Sequence, residues 1–195
     1  MKHVVILAHP SSSSFNATVA DTYIRAAEAA GHAVVLRDLY AMQFQPCLSE
    51  SEIPHVGGFG AAADVQEERR LLADADLFVL VYPLWFYMPP AILKGYIERV
   101  FGMGFGFSAH TLEGNSPLLE GRRLLTFSSS GAPSDWLDQE GALAALRTLF
   151  DDHFAGVCGF NVVDHIHFGG IYPGIVKDRV EACQRQVEDV VKGLG

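Results

Sequence analysis

Apolar positions along this chain follow two spacings in turn, and the alternation repeats five times. Val4 to Ala8 is short, β-branched and apolar on both faces, as a central parallel strand should be. Phe15, Val19 and Tyr23 then recur at every fourth position, with Ile24 and Ala27 beside them; this predicts an amphipathic helix closed by Gly31. "AVVLRDL" reads as a second strand, and residues 40 to 63 as irregular, with Pro46, Pro54 and "GGFG". Asp64 is placed to cap a helix through Ala75. "LFVLVY" is a third strand, and Pro90 suits the first turn of a helix to about Phe101. A Gly-rich loop is predicted over 102–121, then a fourth strand in "RRLLTFS" and a fourth helix from Leu137 to about Phe154. "FNVVDHIHF" is the fifth strand, and Val176 to Val191 the last helix.

Strand alternating with helix predicts a parallel sheet with helices on both faces. Five strands in a chain this long suggest a flavodoxin-like three-layer α/β sandwich with strand order 2-1-3-4-5, which binds ligands at the carboxyl ends of its strands. The 195 residues show no internal repeat and no clear linker, so one domain over 1–195 is expected. The uncharged run Leu77 to Leu93 is shorter than the roughly 20 residues of a membrane helix and is broken by Pro83, Pro89 and Pro90. It reads as strand, loop and helix start, and no membrane insertion is expected. The N-terminal apolar stretch lacks a small-residue cleavage site and reads as a strand, not a signal peptide.

Composition adds exclusions. A formal net charge of -9 disfavours a nucleic-acid partner. Cys47, Cys158 and Cys183 are odd in number and far apart, which argues against a disulfide framework and for a reducing cytoplasm.

Three segments follow strands 1, 3 and 4 and should converge on one rim. In "HPSSSSFNATV", residues 9–19, a helix N-terminus offers unpaired N–H groups and the positive end of a dipole. Ser14 or Ser13 could donate to a phosphate, and Asn16 could bridge loop backbone or phosphate; a bare serine N-cap explains one serine equally well. In "YPLWFYMPP", residues 82–90, Trp85, Phe86 and Tyr87 could wall a flat aromatic ligand or pack as core. "SSSGAPSDW", residues 128–136, presents hydroxyls and N–H groups to a ligand edge, or forms a plain turn.

Together "AHP…SFN", "YPLWFYMPPAILKGYIERVF" and "GFGFS…PLLEGRRLLTFSSSGAP" resemble the flavin-dependent NAD(P)H quinone reductases, a flavodoxin-like family that includes DT-diaphorase and the potassium-efflux ancillary oxidoreductases. The resemblance runs from the first strand to the last helix. It implies FAD, with FMN as the alternative, and NAD(P)H as co-substrate. It places flavin phosphate and ribityl contacts at His9, Ser14, Phe15 and Asn16, and the isoalloxazine edge at Pro83, Leu84, Trp85 and Phe86. The pyrimidine side falls to Ser129, Ser130, Gly131 and Ala132, and the adenine nucleotide to Arg179. Phe105, Phe107 and Trp136 would hold a quinone or similar flat acceptor flat, in a pocket at a homodimer interface. The chain departs from the family after the fourth strand. Ala132 replaces a second glycine, Trp136 stands near the family's Tyr, and "LDQEGALAALR" holds no His, so the Tyr–His pair that balances charge on reduced flavin is in question. Arg69 sits where many members have Gln, either reaching a phosphate or lying on a solvated face.

The mechanism implied is two-electron and ping-pong. Hydride passes from the nicotinamide to flavin N5 and then to the acceptor. The Gly131 and Ala132 N–H groups would stabilise charge near N1 and O2 as an oxyanion hole does, so Gly131 and Trp136 are the candidates closest to the chemistry. The competing class is a flavin-binding regulatory subunit of a membrane transport system. "GMGFGF" has the wrong spacing and follows a helix, so it is not a dinucleotide loop. No acidic phosphoacceptor ends strand 1, and no Cys stands in its loop, which excludes receiver and phosphatase readings. A one-electron carrier would use a different phosphate loop. His165 and His167 share a strand face; without a third ligand they read as polar residues near the pocket mouth, with no metal site. His3, His32, His55, His110 and His153 are expected at the surface or in loops.

Overall fold

A computed structural model describes residues 1–53, 60–110 and 114–194. In chain order it contains β1 (Lys2–Leu7), α1 (Phe15–Ala29), β2 (Ala33–Asp38), α2 (Ala63–Leu72), β3 (Leu77–Pro83), α3 (Ala91–Val100), β4 (Phe107–His110) and β5 (Gly114–Pro117). Then come β6 (Arg123–Ser129), α4 (Ser134–Gln139), α5 (Ala142–Leu146), α6 (His153–Cys158), β7 (Asn161–Phe168) and α7 (Lys177–Lys192). The main sheet has the order β2-β1-β3-β6-β7, and every pairing in it is parallel. This is the flavodoxin-like order expected from the alternation.

Period-two burial divides each central strand between two cores. Val4, Ile6, Phe78, Leu80 and Tyr82 face an aromatic core with Tyr96, Phe101, Phe150 and Phe160. Val5, Leu7, Val79, Val81 and Phe127 face a second core closed by α1 and α7 through Tyr23 and Val187. The whole of β3 is buried, so the uncharged run from Leu77 is the middle of a sheet. Among the described residues no helix is long and apolar enough to cross a membrane. Gly95 in α3 is needed for packing: a Cβ there would lie 2.2 Å from the Pro46 carbonyl oxygen.

Four expectations change. The region 102–121 carries an antiparallel hairpin, β4 against β5. The predicted fourth helix is broken: Gly141, at φ 72, ends α4, and a π-helical stretch Arg147–Asp152 joins α5 to α6. Asp64 does not cap α2, whose N-cap is Ala62; its carboxylate instead pairs with Arg99, which also bonds buried Glu52. His3 is fully buried, with Tyr23 Oη 2.8 Å from its Nδ1 and the His32 ring stacked at 4.5 Å. His153 is exposed as expected, while His55 lies outside the described residues.

Candidate functional site

At the end of β1 the chain turns through His9 and the serine run into α1. The Ser11 N–H donates to His9 Nδ1 at 3.0 Å, and Ser11 and Ser13 share a hydroxyl–hydroxyl bond. Ser14 is the N-cap, its Oγ accepting from the Ala17 N–H at 3.1 Å. Helices α2, α4 and α7 each carry an aspartate in the first turn, whereas α1 carries no acid there, and neither do α3, α5 and α6. The positive end of α1 is therefore uncompensated by the chain, as an anion site requires. Phe15 packs edge-on against Phe168 at 5.4 Å. Asn16 is buried, and its Nδ2 donates to Ser129 Oγ at 3.0 Å, so the side chain ties the first loop to the third.

After β3 the backbone makes a two-residue turn. Trp85 and Met88 exchange N–H···O bonds of 3.0 and 3.1 Å, and the two residues between them have positive φ, 51° at Phe86 and 62° at Tyr87. Both φ values match a type I′ turn, which favours Asn-Gly. Two aromatics there cost about 1–2 kcal/mol each. Burial does not explain them: Phe86 is 95% exposed, and Trp85, Tyr87 and Met88 are exposed as well. Pro83 ends β3 buried, and the Leu84 N–H donates to the Ser129 carbonyl at 2.6 Å.

The loop after β6 closes the rim. Ser129 faces α1 and Asn16, while Ser128 and Ser130 face the opposite way. The Ala132 carbonyl accepts from Ser130 Oγ at 2.7 Å and from the Gly170 N–H at 2.9 Å. The Gly131 and Ala132 N–H groups have no partner among the described residues. Room beside Gly131 is ample: a Cβ there would meet only the Ile171 carbonyl, at 3.7 Å. Trp136, on α4, stands 5.9 Å from the Tyr87 ring, and His9 lies 6.1 Å from Trp85. The three loops thus meet, through Asn16 and Ser129, Leu84 and Ser129, His9 and Trp85, and Tyr87 and Trp136.

Other expected residues lie elsewhere. Arg179 is exposed in the first turn of α7. Phe105 packs against Phe101 in the aromatic core, and Phe107 lines a cavity of about 700 Å³ beside α3 and α6, so neither joins its own chain's rim. Arg69 takes neither suggested role. Its half-buried guanidinium donates to the carbonyls of Arg99, Val100 and Met103, the open C-terminal end of α3.

Sequence reasoning missed a polar chain behind the rim. The Ser128 Oγ lies 2.6 Å from His165 Nε2 and 2.8 Å from His167 Nδ1; His167 Nε2 lies 2.9 Å from Ser130 Oγ; His165 Nδ1 meets Asp151 Oδ2. Burial, with His165 and Arg147 nearby, pushes His167 down to about 4. The alternating "SSS" and "HIH" on neighbouring strands was a usable signal for the Ser–His contacts. Asp151 had none, because the π-helical stretch turns it inward.

The donor set and exposed rings fit a flavin: N–H groups and a helix terminus for a phosphate tail, flat apolar surface for a ring system. A family model described as a flavodoxin-like fold matches residues 1–191. An NAD(P)H oxidoreductase of Haemophilus influenzae is 34% identical over 173 residues, 88% of this chain and 85% of that protein. Rat NAD(P)H dehydrogenase (quinone) 1 is 29% identical over 181 residues, 83% of this chain and 66% of that enzyme. The solved NAD(P)H:quinone oxidoreductase of Methanothermobacter marburgensis superposes with a TM-score of 0.85 at 27% identity, covering 100% of this chain and 99% of that one. With that fold, that rim and these relatives, the chain belongs to the flavodoxin-like family of NAD(P)H quinone dehydrogenases and is an oxidoreductase.

Proposed function

We propose that the protein is a flavin-dependent NAD(P)H:quinone oxidoreductase that holds FAD, with FMN as the alternative, on the rim formed after β1, β3 and β6. The observation that carries the reading is the turn at Phe86 and Tyr87. Strained backbone holding exposed rings persists where a ligand repays it, and a flat ring system is the matching ligand. A bound flavin would supply two-electron, ping-pong hydride transfer through N5, from NAD(P)H to a quinone or similar flat acceptor.

The chain's residues bind and orient. The α1 terminus and Ser14 take a phosphate, with His9 and Phe15 beside it. Asn16 acts through Ser129, fixing the distance between the phosphate loop and the pyrimidine loop. Pro83, Leu84, Trp85 and Phe86 border the ring edge. The Gly131 and Ala132 N–H groups, beside Ser129 and Ser130, stabilise negative charge at that end of the ring. Arg179 is free to meet the second phosphate or adenosine of FAD. Trp136 and Tyr87 keep an acceptor flat. A homodimer completes the pocket: Phe105 and Phe107 lie away from their own rim, so their cover for the substrate comes from the second copy. The cytoplasm suits three free cysteines. The relatives described above are oxidoreductases, which favours turnover over a purely regulatory role in transport.

The test is to purify the protein, release its chromophore and identify it by chromatography. A yellow protein that NAD(P)H bleaches without air, and that a quinone restores, is expected. A protein that stays colourless after incubation with FAD and FMN overturns the reading.

A further inference from the structure

The geometry points to a one-proton store behind the rim, built from Asp151, His165, Ser128, His167 and Ser130, that opens at Ser130 and provides the second proton of quinone reduction. This rests on the quinone-reductase reading above.

Five hydrogen bonds run in series: Asp151 to His165, His165 to Ser128, Ser128 to His167, His167 to Ser130, and Ser130 to the Ala132 carbonyl. Each bond needs one proton. With the carboxylate ionised and both imidazoles neutral, the side chains hold four: one on each ring and one on each hydroxyl. Four protons leave one bond unmade. In that state Ser130 donates to His167 Nε2, His167 Nδ1–H to Ser128, Ser128 to His165 Nε2, and His165 Nδ1–H to Asp151. The Ala132 carbonyl keeps only its Gly170 N–H, at 2.9 Å. A fifth proton satisfies all five bonds, and the charge it brings sits on the ring beside the carboxylate. His165 then carries two N–H groups and pairs as a cation with Asp151. The next two links reverse, so that Ser128 donates to His167 Nδ1 and His167 Nε2–H to Ser130, whose hydroxyl turns to Ala132. Both states are well bonded, which is what a store requires.

The charge comes to rest on His165 because the carboxylate touches that ring. His167, held neutral by burial, passes the proton on and does not keep it. Tyr82 on β3, paired in register with Ser128 of β6, has a buried hydroxyl without a partner among the described residues. Thr126 Oγ1 on β6 is 3.5 Å from Asp151 Oδ1. Arg147 donates to the His165 carbonyl at 3.1 Å, and Asp164 accepts from the His165 N–H at 2.7 Å. Asp138 on α4 acts on His167 through space. Asp151, His165 and Ser128 are buried, Ser130 is nearly so at the start of the rim loop, and His167 is half-buried.

The reaction needs such a proton. NAD(P)H loses two electrons and one proton as hydride. A quinone gains two electrons and two protons to become a hydroquinone, so the sum is NAD(P)H + quinone + H⁺ → NAD(P)⁺ + hydroquinone. The store fills from solvent in the NAD(P)H half. In the quinone half the Ser130 O–H bond breaks as an O–H bond of the hydroquinone forms. One proton then moves along each link, and His165 returns to neutral.

Two measurements test it. First, proton uptake is followed with an indicator dye while the flavin-loaded protein is reduced anaerobically. The native protein should take up one proton more per flavin than Ser128→Ala, which cuts the chain between the rings. Tyr82→Phe should match the native protein. Equal uptake in native and Ser128→Ala overturns the store. Second, histidine ¹⁵N spectra of the flavin-free native protein are recorded against pH, which requires no variant to fold. One step should take His165 from doubly protonated to neutral while His167 switches from Nε2–H to Nδ1–H. A His167 tautomer that never changes overturns the store. A protein that binds no flavin yet shows this switch would sink the quinone reading alone.

Discussion

The two ends of the main sheet use the same strands to opposite effect. At the amino ends the chain bonds mostly to itself, with the buried His3 Nε2 left without a partner among the described residues. The Lys2 N–H donates to Asp76 and its ammonium to the Leu71 carbonyl, both at 2.7 Å; Arg122 bonds the Ala73 carbonyl, and Arg123 the Leu194 carbonyl. His3 is shut in between Tyr23 and His32. At the carboxyl ends the chain leaves N–H donors unpaired, rings in solvent and two residues in left-handed backbone. On the proposed reading, the open end keeps these groups for a flavin and its acceptor.

This contrast can be broken in three ways. The largest effect concerns pH. Burial first, and the neighbouring His32 and N-terminus next, lower His3 to about 4, while burial lowers His167 to about 4 at the other end. Above pH 6.5 these rings are neutral in both folded and unfolded chains, and their stabilisation is complete. As pH falls from 6.5 towards 4 the unfolded chain binds the protons first, and stability is lost. Each ring should account for on the order of 2 kcal/mol in urea unfolding. His3→Gln should remove its share of the slope and leave flavin retention unchanged; an unaltered slope would show that the closed end does not carry it.

Next is Asn16→Ala. It strands buried Ser129 and should cost about 1–3 kcal/mol, with weaker flavin retention in the same variant. Loss of stability with full flavin affinity would leave Asn16 as cement only. The smallest effect has the opposite sign. Phe86→Asn with Tyr87→Gly restores the residues a type I′ turn prefers and should raise stability by about 1–2 kcal/mol. The same change should weaken flavin retention about tenfold, one lost ring contact. A variant that is less stable in thermal melts would show that the turn is not strained.

Much of this was legible in the sequence because it is local. Spacing of apolar residues fixes which face of a strand or helix is buried, so Val4 to Ala8 and Phe15, Val19 and Tyr23 declare their elements. The rim loops were legible too, since they follow strands of a parallel sheet. Other features were not. A residue such as Arg69 has a helix-surface pattern, and only packing shows that it ends on the C-terminus of α3. The fourth helix has a continuous apolar pattern that hides its break at Gly141 and the π-helical stretch beyond it.

By itself, then, the sequence determined the strand order and the three loops of the rim, because periodicity and the rules of parallel connection act over short stretches of chain. Tertiary structure alone decided which partner each polar group meets. It set Asn16 against Ser129, Arg69 against α3, and Asp151 at the inner end of the histidine chain. Hydrogen bonds across 113, 31 and 14 residues depend on how elements pack, and no local pattern encodes that.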